Sequence, residues 1–465
     1  MNDRTLIRAG RVLTLDPDIG DFETADVLIE GDRIAAISPR IEADGCEIID
    51  AAGMIVSPGL VDTHRHVWQT QLRGVAADWS LFDYFSQMRS IYSAFYRPDD
   101  AYLGNHIGAL EALDAGITTL VDHCHIINSP EHADEAIRGL KDSGIGGIFC
   151  YGLFSNPLPS PLRPEPDPSW RFEDARRVRT RHFASGDGNL TMGLALGEVD
   201  WMAFEATCEE IAFGREIGAE RISSHVAMGA YDTGRHLVAE LSKAKLLGDD
   251  LLFVHGSRLS NEELDMIAGC GAAISSTPET ELQMAMGHPV VSRALAHGAI
   301  ASLGVDIVSN FAGDMFTQMR LQLQTERGLR NEQLRAPPRT ISPSAREVLE
   351  LATREGARAL GLDSRIGTLS PGKQADVILT RTDALHIAGV ADPVAALVLY
   401  ARPTDVDTVF VAGRAVKRAG QLVGVDWPVL RDRLVRSSER IREGFRSVEL
   451  GPVVDLAAQL MLREG

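Results

Sequence analysis

Ile55-Val56-Ser57-Pro58-Gly59-Leu60-Val61-Asp62-Thr63-His64-Arg65-His66 is the stretch from which the rest of the chain is read. A strand-length apolar run, crossed by Pro-Gly, ends on two histidines spaced two apart. Alternate side chains of a strand point to the same face, so His64 and His66 lie side by side. Two neutral imidazoles converging on one point begin a divalent-metal site. Their place at the end of a strand is where barrel enzymes keep their chemistry.

Working outward, strand-length apolar runs recur at Thr118–Asp122, Gly146–Tyr151, Leu190–Leu196, Arg221–His225, Leu251–His255, Ala272–Ser276 and Ala301–Asp306. With Ile55–Val61 they make eight. Helix-length amphipathic segments fall between them, among them Asp99–Ala115, Pro130–Ser143, Phe204–Ile217 and Asn261–Cys270. Eight strands with helical crossovers predict an α/β fold, a (β/α)8 TIM-type barrel. An open doubly wound sheet fits less well, because no glycine-rich dinucleotide fingerprint follows the first strand. Phe154–Arg179, rich in Pro, Arg and Asp, reads as a long loop on the active-site face.

The flanks read differently. Short strands divided by Gly and Asp turns fill the first residues, and β character returns at Ala375–Thr380, Ala396–Tyr400, Thr408–Val411 and Arg414–Val416. The expectation is a small β-sandwich domain built from both chain ends, residues 1–57 and 366–425, around a barrel of residues 58–365. A helical extension, 426–465, follows with a helix over Leu430–Arg446.

Composition narrows the function classes. A net charge of −19 repels phosphate backbones, so nucleic acid is not an expected partner. No stretch approaches the ~20 apolar residues of a membrane span. The five cysteines are scattered, with no Cys-x-x-Cys pair, which argues against a disulfide framework or a zinc knuckle. With no signal-like N-terminal run, a cytoplasmic enzyme is expected.

Three further strand ends carry chemistry: His225, His255 and Asp306. His64, His66, His225 and Asp306 together supply three nitrogens and one oxygen, leaving room for water. A divalent ion lowers the pKa of bound water towards ~7, and a carboxylate beside it can take the proton. Asp306 is thus expected both as ligand and as catalytic base, with His255 beside the ion orienting water or polarising a carbonyl. One ion per chain is expected. Zinc stands first, and cobalt, iron or manganese also suit such donors.

On these residues the chain resembles the amidohydrolase superfamily, in the branch of cytosine deaminases, triazine hydrolases and related chlorohydrolases. The carrying segments are Pro58–His66, Gly116–Asp122, Val254-His255-Gly256, Ser302–Asp306 and Ile366–Asp376. The resemblance implies His64 and His66 as first-strand ligands, His225 as the fifth-strand ligand, Asp306 as ligand and base, and His255 as the assisting histidine. It also implies a homo-oligomer. One position departs from the pattern: deaminases of the branch carry Glu three residues after the fifth-strand histidine, and here that residue is Met228. Glu279 or Glu281 is the candidate to replace that proton shuttle. Glu198 reads as a loop residue beyond the fourth strand, not as a metal bridge. Trp68, Gln69, Trp79 and His123 are candidate substrate contacts, with His125 beside them.

The expected activity is hydrolysis of a non-peptide C–N bond, or a related C–S or C–Cl bond, in a small molecule such as a urea, carbamate, thiocarbamate or amide. The chain is similar in this respect to phenylurea and thiocarbamate hydrolases. The alternative is an aminohydrolase releasing ammonia from an aminated heterocycle. A decayed, non-enzymatic scaffold is disfavoured because all four ligand positions are filled.

Overall fold

The computed structural model describes residues 4–461, apart from 43, 157, 160, 161, 164–166, 186 and 187. Its centre is a sheet of eight parallel strands: Leu60–Arg65, Ile117–Cys124, Gly146–Gly152, Leu190–Ala195, Ile222–Val226, Leu251–His255, Ala273–Ser276 and Ile300–Leu303. Their order follows the chain, and a parallel bridge between Arg65 and Asp306 brings the eighth strand back to the first. Gly304 makes that closure possible, since a Cβ there would lie 2.8 Å from the His64 carbonyl oxygen. The result is the expected barrel.

The expected first strand, Ile55–Val61, is two strands. Met54–Pro58 pairs with Arg4–Val12 and Val377–Arg381 in the small sheet, while Leu60–Arg65 enters the barrel. Gly59 is the crossing point: a Cβ there would sit 2.1 Å from Thr118 Oγ1, so only glycine lets the two sheets approach.

Both chain ends build the small unit, as expected, but as one continuous nine-stranded sheet. It encloses its own core of residues such as Ile7, Val27, Val56, Val377 and Phe410. Two elements differ from expectation. Ala396–Tyr400 is a π-helical turn, begun by Asp392, whose Oδ1 accepts the Val394 N–H ahead of Pro393. The supposed loop Phe154–Arg179 contains the start of a helix, Trp170–His182, which Asp174 and Arg177 tie to the neighbouring Asp134 and Tyr151. Some residues of that segment lie outside the described ones.

The C-terminal extension forms two helices, Trp427–Arg446 and Leu450–Met461. Ser437 donates to Asp100 at 2.6 Å and Ser438 to the Gln71 carbonyl at 2.7 Å, docking the first helix on the barrel. The second packs against Tyr84–Arg89, a π-helical turn that follows the first barrel strand. No helix among the described residues is long and apolar enough to cross a membrane.

Candidate metal centre

The four proposed ligands converge at the C-terminal end of the barrel. Asp306 Oδ1 lies 3.3 Å from Nε2 of His64 and 3.3 Å from Nε2 of His66, and His225 Nε2 lies 3.4 Å from His64 Nε2. These are the edges of a coordination tetrahedron: metal–ligand bonds of about 2.1 Å give ligand separations of about 3.4 Å. All four residues are buried. The donor set therefore fits a divalent ion.

The electrostatics agree. Burial pushes the His64 imidazole down to about 4 and that of His66 well below its ordinary value. Both are then neutral, the form that ligates. Burial opposes ionisation of Asp306, but His64 and His66 outweigh it and hold the carboxyl far below the usual range.

Backbone bonds lock three ligands together. The Asp306 N–H donates to the His64 carbonyl at 2.8 Å, and the His66 N–H donates to the Asp306 carbonyl at 2.7 Å. Asp306 and His255 both sit in the left-handed region, at φ 74° and 70°. Non-glycine residues held there store about 1–3 kcal/mol each, a cost that clusters at functional sites. Behind them, buried Arg65 donates to Asp62 at 2.8 Å, and Asp62 accepts the Val305 and His64 N–H groups at 2.9 and 3.3 Å. Nothing in the sequence singles out Arg65 beyond its place between two ligand histidines.

Three of the rings, His66, His255 and His225, are aimed by what holds the far nitrogen, whereas among the described residues His64 Nδ1 has no hydrogen-bond partner. His66 Nδ1 lies 2.8 Å from the His123 carbonyl, which can only accept, so Nδ1 carries the proton and Nε2 faces the centre. His255 Nδ1 is bonded to Thr277 Oγ1 at 3.1 Å, with Glu281 Oε1 at 3.6 Å. Glu281 is itself pinned by the Thr277 N–H and the Ser276 hydroxyl, at 2.7 and 2.8 Å. His225 Nδ1 meets Glu198 Oε2 at 3.3 Å.

A narrow cavity opens on this cluster. Its walls are largely apolar: Leu81, Tyr84, Phe85, Met228, Met284, Met286 and Ile307. Among the described residues only two carboxylates line it, Asp306 and Glu198. Glu198 does lie in the loop after the fourth strand, as expected, yet that loop returns it to the cavity.

Of the candidate substrate contacts, His125 lines this cavity, whereas Trp68, Gln69, Trp79, His123, Glu279 and Glu281 do not. The chain after His66 makes a fully buried 3-10 turn, Val67–Leu72, which turns Trp68 into the core against Tyr96. Gln69 donates to the Tyr84 hydroxyl and accepts from Ser309, both at 2.7 Å, and so steadies a wall residue from behind. Trp79 packs near Tyr92. His123 is bonded to Ser223 at 3.0 Å and stacks on His225. Glu279 accepts from Gln318 at 2.9 Å, and burial raises its carboxyl to about 7. Glu281 stands behind His255. The wall falls instead to Leu81, Tyr84, Phe85, Met228, Met284, Met286 and Ile307, of which all but Met228 carry no distinguishing mark in the sequence.

An eight-stranded barrel with residues that could hold a metal ion at its strand ends defines a class of enzyme. The amidohydrolase family model matches residues 55–416, and the chain belongs to that family. Among its relatives, a 5-methylthioadenosine/S-adenosylhomocysteine deaminase of Desulforudis audaxviator is 30% identical over 95% of this chain and 99% of its own. A 5'-deoxyadenosine deaminase of Methanothermobacter thermautotrophicus is 28% identical, covering 90% and 95%. Solved structures share the fold. A zinc-bound adenosine deaminase of Xanthomonas campestris has a TM-score of 0.83 at 23% identity, covering 94% of this chain and 98% of its own. A triazine hydrolase of Arthrobacter aurescens has 0.84 at 23%, covering 94% and 100%. The chain is thus a hydrolase of the amidohydrolase family, acting on carbon–nitrogen bonds. These relatives are deaminases and a triazine hydrolase, not the phenylurea and thiocarbamate hydrolases expected from the sequence.

Proposed function

We propose that the protein is an aminohydrolase that releases ammonia from an aminated heterocycle, with purine nucleosides the first class to test. The observation that carries this reading is Glu198, the one cavity carboxylate besides Asp306 among the described residues. Amine departure from an aromatic carbon requires protonation of a nitrogen, which a positioned carboxyl can supply. The usual position for that carboxyl holds Met228, and Glu198 approaches from the fourth-strand loop instead. The named deaminase relatives support the same chemistry.

In this scheme His64, His66, His225 and Asp306 hold one divalent ion, zinc by analogy with the zinc-bound neighbour. When bound, the ion activates water and polarises the carbon under attack. His255, fixed by Thr277, orients the attacking water, and Asp306 accepts its proton. Glu198 steadies His225 and passes a proton to the departing nitrogen. Met228, Met284 and Met286 offer soft contact to an apolar substituent.

The second reading is hydrolysis of a urea, carbamate or thiocarbamate, favoured by Met228 itself. There a single carboxylate, Asp306, relays the proton. The test is to assay zinc-loaded protein against adenine nucleosides, aminotriazines, ureas and carbamates, measuring ammonia and free amine separately. Ammonia from heterocycles is the expected result. Turnover confined to ureas and carbamates would overturn the assignment.

A further inference from the structure

Two histidines are left over. His123 and His125 alternate at the end of the second barrel strand, and both are buried. His123 is anchored through Nδ1 to Ser223. His125 is different: among the described residues neither ring nitrogen has a hydrogen-bond partner, and the ring lines the cavity. Its plane is fixed by stacking on His66, with centroids 4.1 Å apart, and by the edge contact with Phe154 at 4.4 Å. A buried polar group without a partner is costly, and in a native fold it awaits a water, an ion or a ligand.

We infer that His125 is a specificity residue that hydrogen-bonds a ring nitrogen of the bound heterocycle; this rests on the aminohydrolase reading above. One observation argues against a second metal ligand: the charge of buried Arg89 acts on His125 and opposes another cation beside it. Position explains what the group is for. A nitrogen of His125 lies within 4.8 Å of ligand atoms of His66 and His225. That is close enough for a ring nitrogen neighbouring the reacting carbon to meet the imidazole while the carbon faces the centre. The rest of the cavity offers a flat ring mainly apolar contact, so one polar contact at this point sets its orientation.

The experiment uses zinc-loaded protein, with KM and kcat for adenosine and inhibition constants for 1-, 3- and 7-deazaadenosine. His125→Phe keeps a stacked ring without a hydrogen bond, and His125→Gln retains a donor. The wild type is expected to bind one deaza analogue about tenfold more weakly than the other two. His125→Phe should raise KM about tenfold, change kcat little, keep one zinc per chain and bind all three analogues alike. His125→Gln should recover some of the discrimination. Equal binding of the analogues by the wild type, or discrimination that survives in both variants, overturns the inference alone. Loss of zinc from both variants makes His125 a ligand and also overturns it. A wild type that neither turns over nor binds any of these purines removes the purine reading, and this inference falls with it.

Discussion

Replacing Glu198 by Gln keeps the shape of the side chain and removes its charge. In the structure its Oε2 lies 3.3 Å from His225 Nδ1, while among the described residues Oε1 has no hydrogen-bond partner and lies 3.7 Å from Arg89. Burial opposes ionisation, but His225 and Arg89 outweigh it and hold the carboxyl below its ordinary value. The group is therefore a carboxylate at neutral pH, ready to take a proton before passing it on. Two contributions are lost together in the variant. Groups that orient a metal ligand are worth about 10–100-fold in affinity or activity. A positioned proton donor is worth about 10²–10⁴-fold in rate. Excess zinc compensates the first and not the second. The expected result, in saturating zinc, is thus a fall in kcat/KM for ammonia release of about 10² or more. An analogue whose leaving group departs without a proton, such as chloride, should lose far less. The assay is ammonia release against chloride release from matched heterocycles, with zinc measured on the same samples. A kcat/KM for ammonia within about threefold of the wild type would refute the reasoning and leave Asp306 as the sole proton carrier.

Other outcomes follow from the same geometry. Asp306→Asn cannot accept a proton and should lower kcat by about 10²–10⁴ with zinc restored; near-normal turnover would remove Asp306 from its role. Arg65→Met strands the fully buried Asp62 carboxylate and should cost about 3–5 kcal/mol of stability, read by urea unfolding. An unchanged midpoint would mean that water reaches Asp62. In chelator-treated protein, burial holds His64 to about 4 and His66, His123 and His125 well below 6.5. The unfolded chain then binds more protons than the fold below pH ~6.5, so stability is fully present above that pH. It is lost as pH falls towards 4, at up to about 1.4 kcal/mol per pH unit for each histidine. Unfolding curves at pH 7 and pH 5 check this, and equal stabilities would contradict it.

Much of the molecule was legible in the chain. The eight apolar runs and their helical partners predict the barrel because periodicity is a local property of the sequence. The errors are local events with distant causes. Ile55–Val61 reads as one strand because nothing nearby reveals that the chain leaves one sheet for another at Gly59, against Thr118. Ala396–Tyr400 has strand-like composition, yet the Asp392-Pro393 start turns it helical. Trp68 and Trp79 were natural candidates for a pocket wall, but the direction of the turn after His66 decides which side chains face inward.

By itself, then, the sequence determined the fold class and nominated His64, His66, His225, His255 and Asp306, because residues at strand ends share one rim of a barrel. Tertiary structure decided the rest of the cavity. Glu198, His125 and Arg65 have meaning only through partners far along the chain: His225, the rings of His66 and Phe154, and Asp62 with the closing strand beyond it. The physical reason is that strand-end ligands follow from a repeating local pattern, whereas a loop side chain is placed by long-range packing that no periodicity records.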